Sequence, residues 1–433
     1  MMRTAPLMIG LASLAGVAAC GSGPSDPSAP SGPFVIAADS SQGAGFGAAS
    51  DGSSFVVAYS VMGQRDHPDV VALRVSESGE TIDPAPVAIS DAQSDPFLLP
   101  ETAEYTGAAV AYDGAQYGVS FLGFGDTETC SACGEEVAFV PVATSGNTLA
   151  KPTLIDSVTS FSMSASSLRL PVPVSGADDK FTLLYVTAEG GITGSFSTID
   201  GANLAYGNGA ITSQAIENLV PDAGYSDQSV TTAWAPSVGV GGSGALGAWL
   251  ESRSPLGPGA AETYLEGAWL TPDGGVSRVE LASLGANASF GQPSPNIPDS
   301  GTAVATNGED FLVVWGTKPN SDNLPTELRG LRYQPATGPV DPDGGFIIAG
   351  GSSGKRLGGA AMKGGRALVV WGEDGSVRGA YIEQDGSPDA PFVIDEGPAD
   401  ASTSIASNGE NFLVVYAHPE VGNKSSIRGQ LLD

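Results

Sequence analysis

Histidine is scarce in this sequence, and its scarcity excludes several kinds of active site. Two histidines among 433 residues are too few for a histidine-rich metal centre. A Ser-His-Asp triad could use only His67 or His418, and no surrounding motif marks either residue. The sequence also contains no phosphate-binding P-loop and no Ser-x-Asp-x-Gly-x-x-Trp box of the sialidase type.

Positive charge is scarce as well. Lysine and arginine number 18 against 48 aspartates and glutamates, which gives a formal net charge of −30. A surface this acidic repels phosphate backbones and anionic lipid headgroups, so we expect no nucleic-acid partner. The acidity promotes solubility, and the alternative is that the carboxylates recruit a hard cation such as Ca²⁺. We therefore expect no cofactor beyond a possible Ca²⁺ ion.

Long amphipathic helical patterns are also missing. Short apolar runs are instead separated by glycine, aspartate and asparagine, and the sequence contains 60 glycines and 31 prolines. Such runs, bounded by turn residues, are typical of an all-β protein.

One apolar run ending in an aromatic residue recurs seven times. Its closing aromatics are 62, 64, 64, 66, 56 and 45 residues apart, about the length of a four-stranded propeller blade with its loops. The sequence therefore predicts a seven-bladed β-propeller over residues 33–433, with six or eight blades as alternatives. The copies are Phe55–Tyr59, Tyr117–Phe121, Phe181–Tyr185, Ala245–Trp249, Phe311–Trp315, Ala367–Trp371 and Phe412–Tyr416.

Turn signals recur in phase with these runs. Asn307-Gly308 and Asn408-Gly409 each precede a run, and such pairs favour tight hairpins. Later turns are predicted at positions that include Asp200-Gly201. The last unit ends at Asp433 without a fourth strand, and residues 34–38 match the fourth strand of the sixth unit. We therefore expect the N-terminal strand to complete the last blade and to pair with residues 427–432.

The repeat resembles that of bacterial lipoproteins with β-propeller-type repeats, which read Asn-Gly, then Phe-Leu-Val-Val-Trp, then Arg-Gly. The resemblance covers residues 33–433 and is best in the last three units. It implies a propeller fold and a place in the cell envelope, and it implies no particular activity.

The N-terminus predicts export. One arginine, an apolar stretch over residues 7–17 and small residues before Cys20 indicate a signal peptide over residues 1–19. Ala18-Ala19-Cys20 resembles a bacterial lipobox, which implies lipidation of Cys20 and leans toward the outer membrane. Residues 20–32 carry no large apolar side chain and are predicted to be a flexible Gly/Ser/Pro tether. Membrane contact is expected through the Cys20 lipid only.

Cys130 and Cys133 form a Cys-Ser-Ala-Cys motif in the second unit. In an exported protein the pair favours a disulfide. A redox pair would call for a βαβ context, and a zinc site would need two further ligands.

The hairpin between the second and third strands of a blade lies at the same rim as the blade-to-blade connections. This rim is predicted to carry long loops, including residues 63–69, 123–135, 251–262 and 317–327, and long loops on a rigid scaffold commonly carry function. We expect a binding or scaffold module for an unknown protein or glycan. The alternatives are a glycan-active hydrolase or lyase with paired carboxylates, and a structural envelope protein. The candidate binding residues are Asp66, His67, Asp69, Glu135, Tyr225, Asp227, Glu251, Glu373 and Asp374.

Overall fold

The structure is a computed structural model of the chain. It describes residues 32–40, 45–62, 68–90, 97–99, 101–128, 130–159, 167–175, 180–191, 194–216, 219–220, 224–225, 229–255, 260–271, 275–285, 301–319, 324–341, 344–397, 402–420 and 424–433. The predicted signal peptide, Cys20 and nearly all of the predicted tether lie outside these residues. Within the described ranges the secondary structure is β-strand without helix, so no helix there could span a membrane.

Seven small antiparallel sheets form a seven-bladed β-propeller, which confirms the predicted fold. Strand β1 is Phe34–Ser40. The first three blades contain strands β2 to β13 in chain order, four strands to each blade. They are Gly47–Ser50, Ser54–Met62, Pro68–Ser76 and Val87–Ala88; Glu104–Tyr112, Gln116–Thr127, Cys130–Ala143 and Thr153–Thr159; Ser167–Ser175, Lys180–Gly191, Gly194–Gly207 and Ala210–Ile216.

Blades four to seven contain strands β14 to β30. Blades four and five each include one additional two-residue strand. The strands of blade four are Gly224–Tyr225, Ser229–Gly241, Gly244–Pro255, Glu262–Leu270 and Val276–Gly285; those of blade five are Thr302–Thr306, Phe311–Pro319, Pro325–Gln334, Gly338–Pro339 and Phe346–Ala349; those of blade six are Lys355–Lys363, Arg366–Glu373, Ser376–Ile382 and Phe392–Glu396; those of blade seven are Thr403–Ser407, Phe412–Glu420 and Lys424–Leu432.

The seventh blade is closed by the N-terminal strand, as the sequence predicted. Strand β1 pairs antiparallel with β30, and Phe34 lies opposite Gly429. A side chain at position 429 would collide with the Phe34 ring, because a Cβ there would lie 2.7 Å from it. A single bridge between Ser40 and Val61 also links this blade to the first. The edge of β30 is therefore paired, and strand pairing closes the ring.

The recurring aromatic run is the second strand of each blade and is buried on both faces. In blade five, each residue from Phe311 to Trp315 is at most 1% exposed. Its two faces belong to different clusters, because Trp315 packs with Leu250 of blade four while Val314 packs with Leu357 of blade six. Burial of each large apolar side chain contributes about 1.5–3 kcal/mol. This strand therefore holds neighbouring blades together and is not itself a binding surface.

Two predictions about connections were wrong. Residues 123–135 do not form a long loop, because Gly123 pairs with Glu136 and Thr127 pairs with Cys130 in one continuous hairpin. The loops near residues 251–262 and 317–327 are likewise shortened by pairs as far out as Arg253–Glu262 and Pro319–Pro325. In blade three, Asp200 and Gly201 lie inside a strand, and the turn falls at Asn208-Gly209, where both residues have positive φ.

Candidate functional site: carboxylate–arginine clusters on one rim

The two rims of the propeller carry different connections. We call the rim with the first and third hairpins of each blade the turn rim. The opposite rim, with the second hairpins and the blade-to-blade connections, is the loop rim. Polar clusters recur on the loop rim in blades four to seven, each beside the buried aromatic that closes the second strand. These clusters form the candidate site.

In blade four, two buried glutamates share two arginines. Glu251 and Glu266 have side chains that are 1% and 4% exposed. Arg253 binds Glu251 at 2.8 Å and Glu266 at 2.6 Å, and Arg278 binds Glu251 at 2.8 Å. Burial, and then the neighbouring charge of Glu251, raise the pKa of Glu266 above its usual value despite both arginines.

The aromatic side chains beside this cluster differ in their surroundings. Trp249 is fully buried and directs its ring N–H toward Glu251 at 3.5 Å. Tyr264 is partly exposed, and the guanidinium of Arg253 lies 4.3 Å from the centre of its ring. Of the two, only Tyr264 offers part of a ring to an incoming ligand.

In blade five, the arginine is held by its own blade. Arg329 binds Glu327 at 2.8 Å, and two further N–H groups donate to the carbonyls of Gly344 and Gly345. This arginine therefore fixes the connection that leads into the outer strand, and three of its five N–H donors are already engaged.

In blade six, the acid is held on three sides. Glu373 accepts a hydrogen bond from the ring N–H of Trp371 at 3.0 Å and an ion pair from Lys355 at 2.9 Å. Arg378 lies 3.7 Å from the same carboxylate, and its Nε is buried without a hydrogen-bond partner. Its side chain is 34% exposed, so part of it is accessible to a ligand.

Lys355 ties two blades together beneath this cluster. Its side chain is 1% exposed, and Nζ also donates to the carbonyl of Thr326 in blade five at 3.0 Å. A buried ammonium is tolerated here because a carboxylate and carbonyl oxygens replace its water.

In blade seven, Arg428 binds Glu420 at 3.0 Å, and Ser426 donates to the same carboxylate at 2.8 Å. The hydrogen bonds from Ser426 and Arg428 lower the pKa of Glu420. His418 lies 3.7 Å from Glu420, and its Nδ1 is buried without a hydrogen-bond partner.

All four clusters face the preceding blade. Their aromatics pack against it: Trp249 with Leu184, Trp315 with Leu250, Trp371 with Leu328, and Tyr416 with Leu368. Each polar cluster therefore lies where the groove between two blades opens at the loop rim.

A central channel of about 300 Å³ is lined by the inner strands. Its described lining is small or apolar, as in Gly107, Ala109, Ser237, Thr302 and Gly358, and it includes no charged side chain. A pair of catalytic carboxylates is therefore not found among the described residues that line the channel.

The structure places several predicted site residues in these clusters and others apart from them. Glu251, Glu373 and Asp374 belong to the clusters of blades four and six, and Asp374 is an exposed turn residue that accepts from Ser353 at 2.6 Å. Asp69 and Glu135 lie at the same rim in blades one and two, opposite Val61 and Phe124. Asp66, His67 and Asp227 lie outside the described residues, as do the side chains of Tyr225, Cys130 and Cys133. The predicted disulfide therefore stays a prediction.

Among the described residues, no group of three or more His, Cys, Asp or Glu side chains is placed to hold a metal ion. The possible Ca²⁺ ion stays a prediction.

Sequence reasoning missed the cations of these clusters. Arg329, Arg378 and Arg428 stand in third strands, as Arg74 does, and they are not among the predicted site residues. They lie opposite Trp315, Trp371 and Tyr416, whereas Arg74 lies opposite Val56. The signal was available, because an arginine that is always paired with the closing aromatic must lie near the loop rim. Blade four carries Glu266-Gly267 where blades five to seven carry Arg-Gly.

Comparison with protein-family models and with curated proteins finds no match. Among solved structures, the chain is similar to an ulvan lyase of a polysaccharide lyase family, with a TM-score of 0.53 and 11% identity over 91% of this chain and 94% of that chain. It also matches a Hadza microbial sialidase (TM-score 0.42, 13% identity, 92% and 66% of the chains). Trypanosoma rangeli sialidase matches as well, with a TM-score of 0.43 and 10% identity over 82% of this chain and 56% of that chain. The chain spans two thirds or less of the length of these sialidases. The likeness to the ulvan lyase supports the propeller fold and carries no activity with it.

Proposed function

We propose that this protein is a glycan-binding module of the bacterial cell envelope, anchored through a lipid on Cys20. The observation that carries the proposal is the carboxylate–arginine cluster that recurs at the loop rim in four consecutive blades. The clusters form a curved row of four grooves, which suits a chain of sugar residues better than a single small molecule.

The chemistry of the clusters suits sugar hydroxyl groups. A hydroxyl both donates and accepts, and a carboxylate beside an arginine offers an acceptor and a fork of donors in a fixed arrangement. Arg378 is the leading contact, because it is partly exposed and its nearest carboxylate oxygen is 3.7 Å away. A neutral saccharide is favoured over a polyanion, because the net charge of the chain is −30.

Binding is favoured over catalysis because the acids are already committed to partners. Glu373 and Glu420 each contact a cation, and the lowered pKa of Glu420 makes it a poor proton donor. The described residues that line the channel carry no charge, which supports the same view.

The second candidate is a glycan-active hydrolase or lyase, and one observation favours it. Glu266 has a raised pKa and lies beside Glu251 with two shared arginines, and a carboxyl group whose pKa is raised by burial is typical of a general acid. The ulvan lyase neighbour supports the idea that a propeller of this length can act on a polysaccharide. The burial of both glutamates speaks against direct contact with substrate.

The experiment uses the chain without its signal peptide on an array of cell-wall and extracellular glycans, followed by calorimetry on the strongest ligand. Arg378→Ala is expected to weaken binding at least tenfold. Arg74→Ala is the matched control, since Arg74 also lies beside a carboxylate, that of Asp83, but on the turn rim, and the variant should leave the affinity unchanged. Equal losses in both variants, or no glycan bound at all, would overturn the proposal.

Two further measurements separate the parts of the proposal. Turnover of the bound glycan, lost in Glu266→Gln, would replace binding by catalysis. Radiolabelled fatty acid should be incorporated into the full chain and not into Cys20→Ser; equal labelling of both would remove the anchor and leave glycan binding to stand separately.

A further inference from the structure

A second cavity lies on the turn rim, between blades five and six, away from the clusters described above. Its volume is about 170 Å³. Phe311, Leu312 and Arg332 line it from blade five, and Met362, Ala367 and Ile382 line it from blade six. The cavity has an apolar floor and a polar mouth, which includes Asn307, Asp310 and Gln384.

The cavity lies where blade six has alanine at the first position of the recurring run, as blade four does with Ala245. In the other five blades this residue is an aromatic that packs against the preceding blade, as Phe55 does against Leu413 of blade seven. Phe181 contacts Phe139 with ring centres 5.1 Å apart, Phe311 contacts Trp269 at 5.6 Å, and Phe412 contacts Tyr381 at 6.2 Å. Tyr117 similarly reaches toward Asp51 and Arg74 of blade one. Blade six has Ala367 at this position, opposite Met362 and Ile382.

The groove between blades one and two has the same arginine–aspartate frame, and there the aromatic ring of Tyr117 fills the space. Arg74 binds Asp83, nine residues later, and donates to the carbonyl of Thr144 in the next blade at 3.2 Å. Arg332 binds Asp341, also nine residues later, and donates to the carbonyl of Gln384 in the next blade at 2.9 Å. In the first groove the frame encloses the Tyr117 phenol, which is fully buried.

The surroundings of Tyr117 indicate what the second groove would accept. Its hydroxyl is near the Asp51-Gly52 turn, and the carboxylate of Asp51 adds to burial in raising the pKa of Tyr117. The equivalent turn in blade five is Asn307-Gly308, and Asn307 lines the mouth of the cavity. A ring in the cavity would therefore direct a hydroxyl at an amide and at Asp310.

We infer that the groove between blades five and six binds a phenolic ring supplied from outside the protein, in the position that Tyr117 occupies in the groove between blades one and two. The volume fits, because a cavity of about 150 Å³ admits benzene. The site takes a single ring, since drug-sized ligands occupy pockets of roughly 300 Å³ or more. It lies on the rim opposite the proposed glycan surface, so neither proposal depends on the other.

The test is ligand-observed NMR and calorimetry with 4-methylphenol, which has the carbon skeleton of a tyrosine side chain. The matched probe is 4-methylcyclohexanol, which has a similar size without a flat ring. We expect one site for 4-methylphenol and at least threefold weaker binding of the alcohol. A tyrosine-containing pentapeptide forms a second arm: binding of the phenol alone assigns a free small phenol, and binding of both assigns a tyrosine side chain.

Three variants place the site. Ala367→Phe restores the repeat and should abolish binding, and Ala367→Leu does the same with a smaller side chain if the phenylalanine variant does not fold. Tyr117→Ala should add a second site of similar affinity between blades one and two. The inference is overturned if the unaltered protein binds no phenol, or if both Ala367 variants fold and bind the phenol as tightly as the unaltered protein.

Discussion

The turn rim and the loop rim both use carboxylates and arginines, but in different proportions. On the turn rim, Arg74 forms an ion pair with a single carboxylate, that of Asp83. Burial tends to raise the pKa of Asp83, and the hydrogen bonds from Arg74 outweigh it, so the pKa is lowered. On the loop rim, Glu266 shares Arg253 and Arg278 with Glu251, and its pKa is raised by burial and by its acidic neighbour.

The difference lies in what each arginine reaches with its remaining donors. Arg74 and Arg332 extend to a carbonyl of the next blade, so they act as latches between blades. Arg253, Arg278 and Arg428 stay within their own blade. The arginine–carboxylate pairs on the turn rim therefore join neighbouring blades, whereas those on the loop rim present polar groups to solvent.

Lys355 is the loop-rim cation that does cross between blades, and its replacement should have the largest effect. Lys355→Met leaves Glu373 without its closest cation, and loss of one partner of a buried pair costs about 3–5 kcal/mol. The matched control is Lys363→Met, because Lys363 also donates to a carbonyl of the next blade, Glu410, but in an exposed position. The control should cost under about 1 kcal/mol. Urea unfolding measures both, and equal midpoints would show that burial is not decisive.

Replacement of Arg74 or Arg332, the two latches between blades, should cause the next largest loss of stability. Arg74→Ala and Arg332→Ala are each expected to lower the free energy of unfolding by about 1–3 kcal/mol, because hydrogen bonds that involve charged groups contribute more than neutral ones. Arg428→Ala on the loop rim should cost less than about 1 kcal/mol, because its partner Glu420 is 41% exposed. A larger loss from Arg428→Ala than from the latches would reverse the comparison.

Asp83 on the turn rim and Glu266 on the loop rim should change the stability of the fold with pH in opposite directions. The folded-state pKa of Asp83 is below its usual 3.8, so its stabilising contribution is present above that value and is lost as pH falls through the folded pKa. The folded-state pKa of Glu266 is above its usual 4.5, so its ionisation destabilises the fold as pH rises past that value.

Thermal unfolding between pH 2.5 and 7 measures this difference. The deficit of Asp83→Asn relative to the unaltered protein should shrink toward low pH. The stability of Glu266→Gln relative to the unaltered protein should improve as pH rises. Over this pH range, the difference in free energy of unfolding between each variant and the unaltered protein should change by about 1 kcal/mol or less. Slopes of the same sign for both variants would contradict the opposed pKa shifts.

The fold could be predicted because its information is repeated. A single Asn-Gly turn is weak evidence. Asn307-Gly308 and Asn408-Gly409 stand in phase with the buried runs that follow them, so a misread turn in one blade does not change the predicted fold. Where the repeat is weakest, prediction failed: the turn of blade three was placed at Asp200-Gly201, although Asn208-Gly209 offers the stronger signal for a two-residue hairpin.

The candidate site could be predicted only in part. Glu251 and Glu373 follow the closing tryptophan by two residues, so the pleat of the strand puts acid and aromatic on the same face. The role of Lys355 could not be read from the sequence, because one of its partners is the backbone carbonyl of Thr326 in another blade. Every residue has a backbone carbonyl, so the sequence does not mark this partner. Ala367 was visible as a departure from the repeat, but only the packing around it shows a cavity.

The pairing of the first strand with the last also has a mechanical meaning. Strand β1 is held in place chiefly by its ladder with β30, from Phe34 opposite Gly429 to Ser40 opposite Ser425. Any tension applied through the segment before residue 33 therefore falls first on this seam, and the other six blades bear load only after it opens. A pull that peels the strands apart would break their hydrogen bonds one after another, whereas a pull along the strands would load them together.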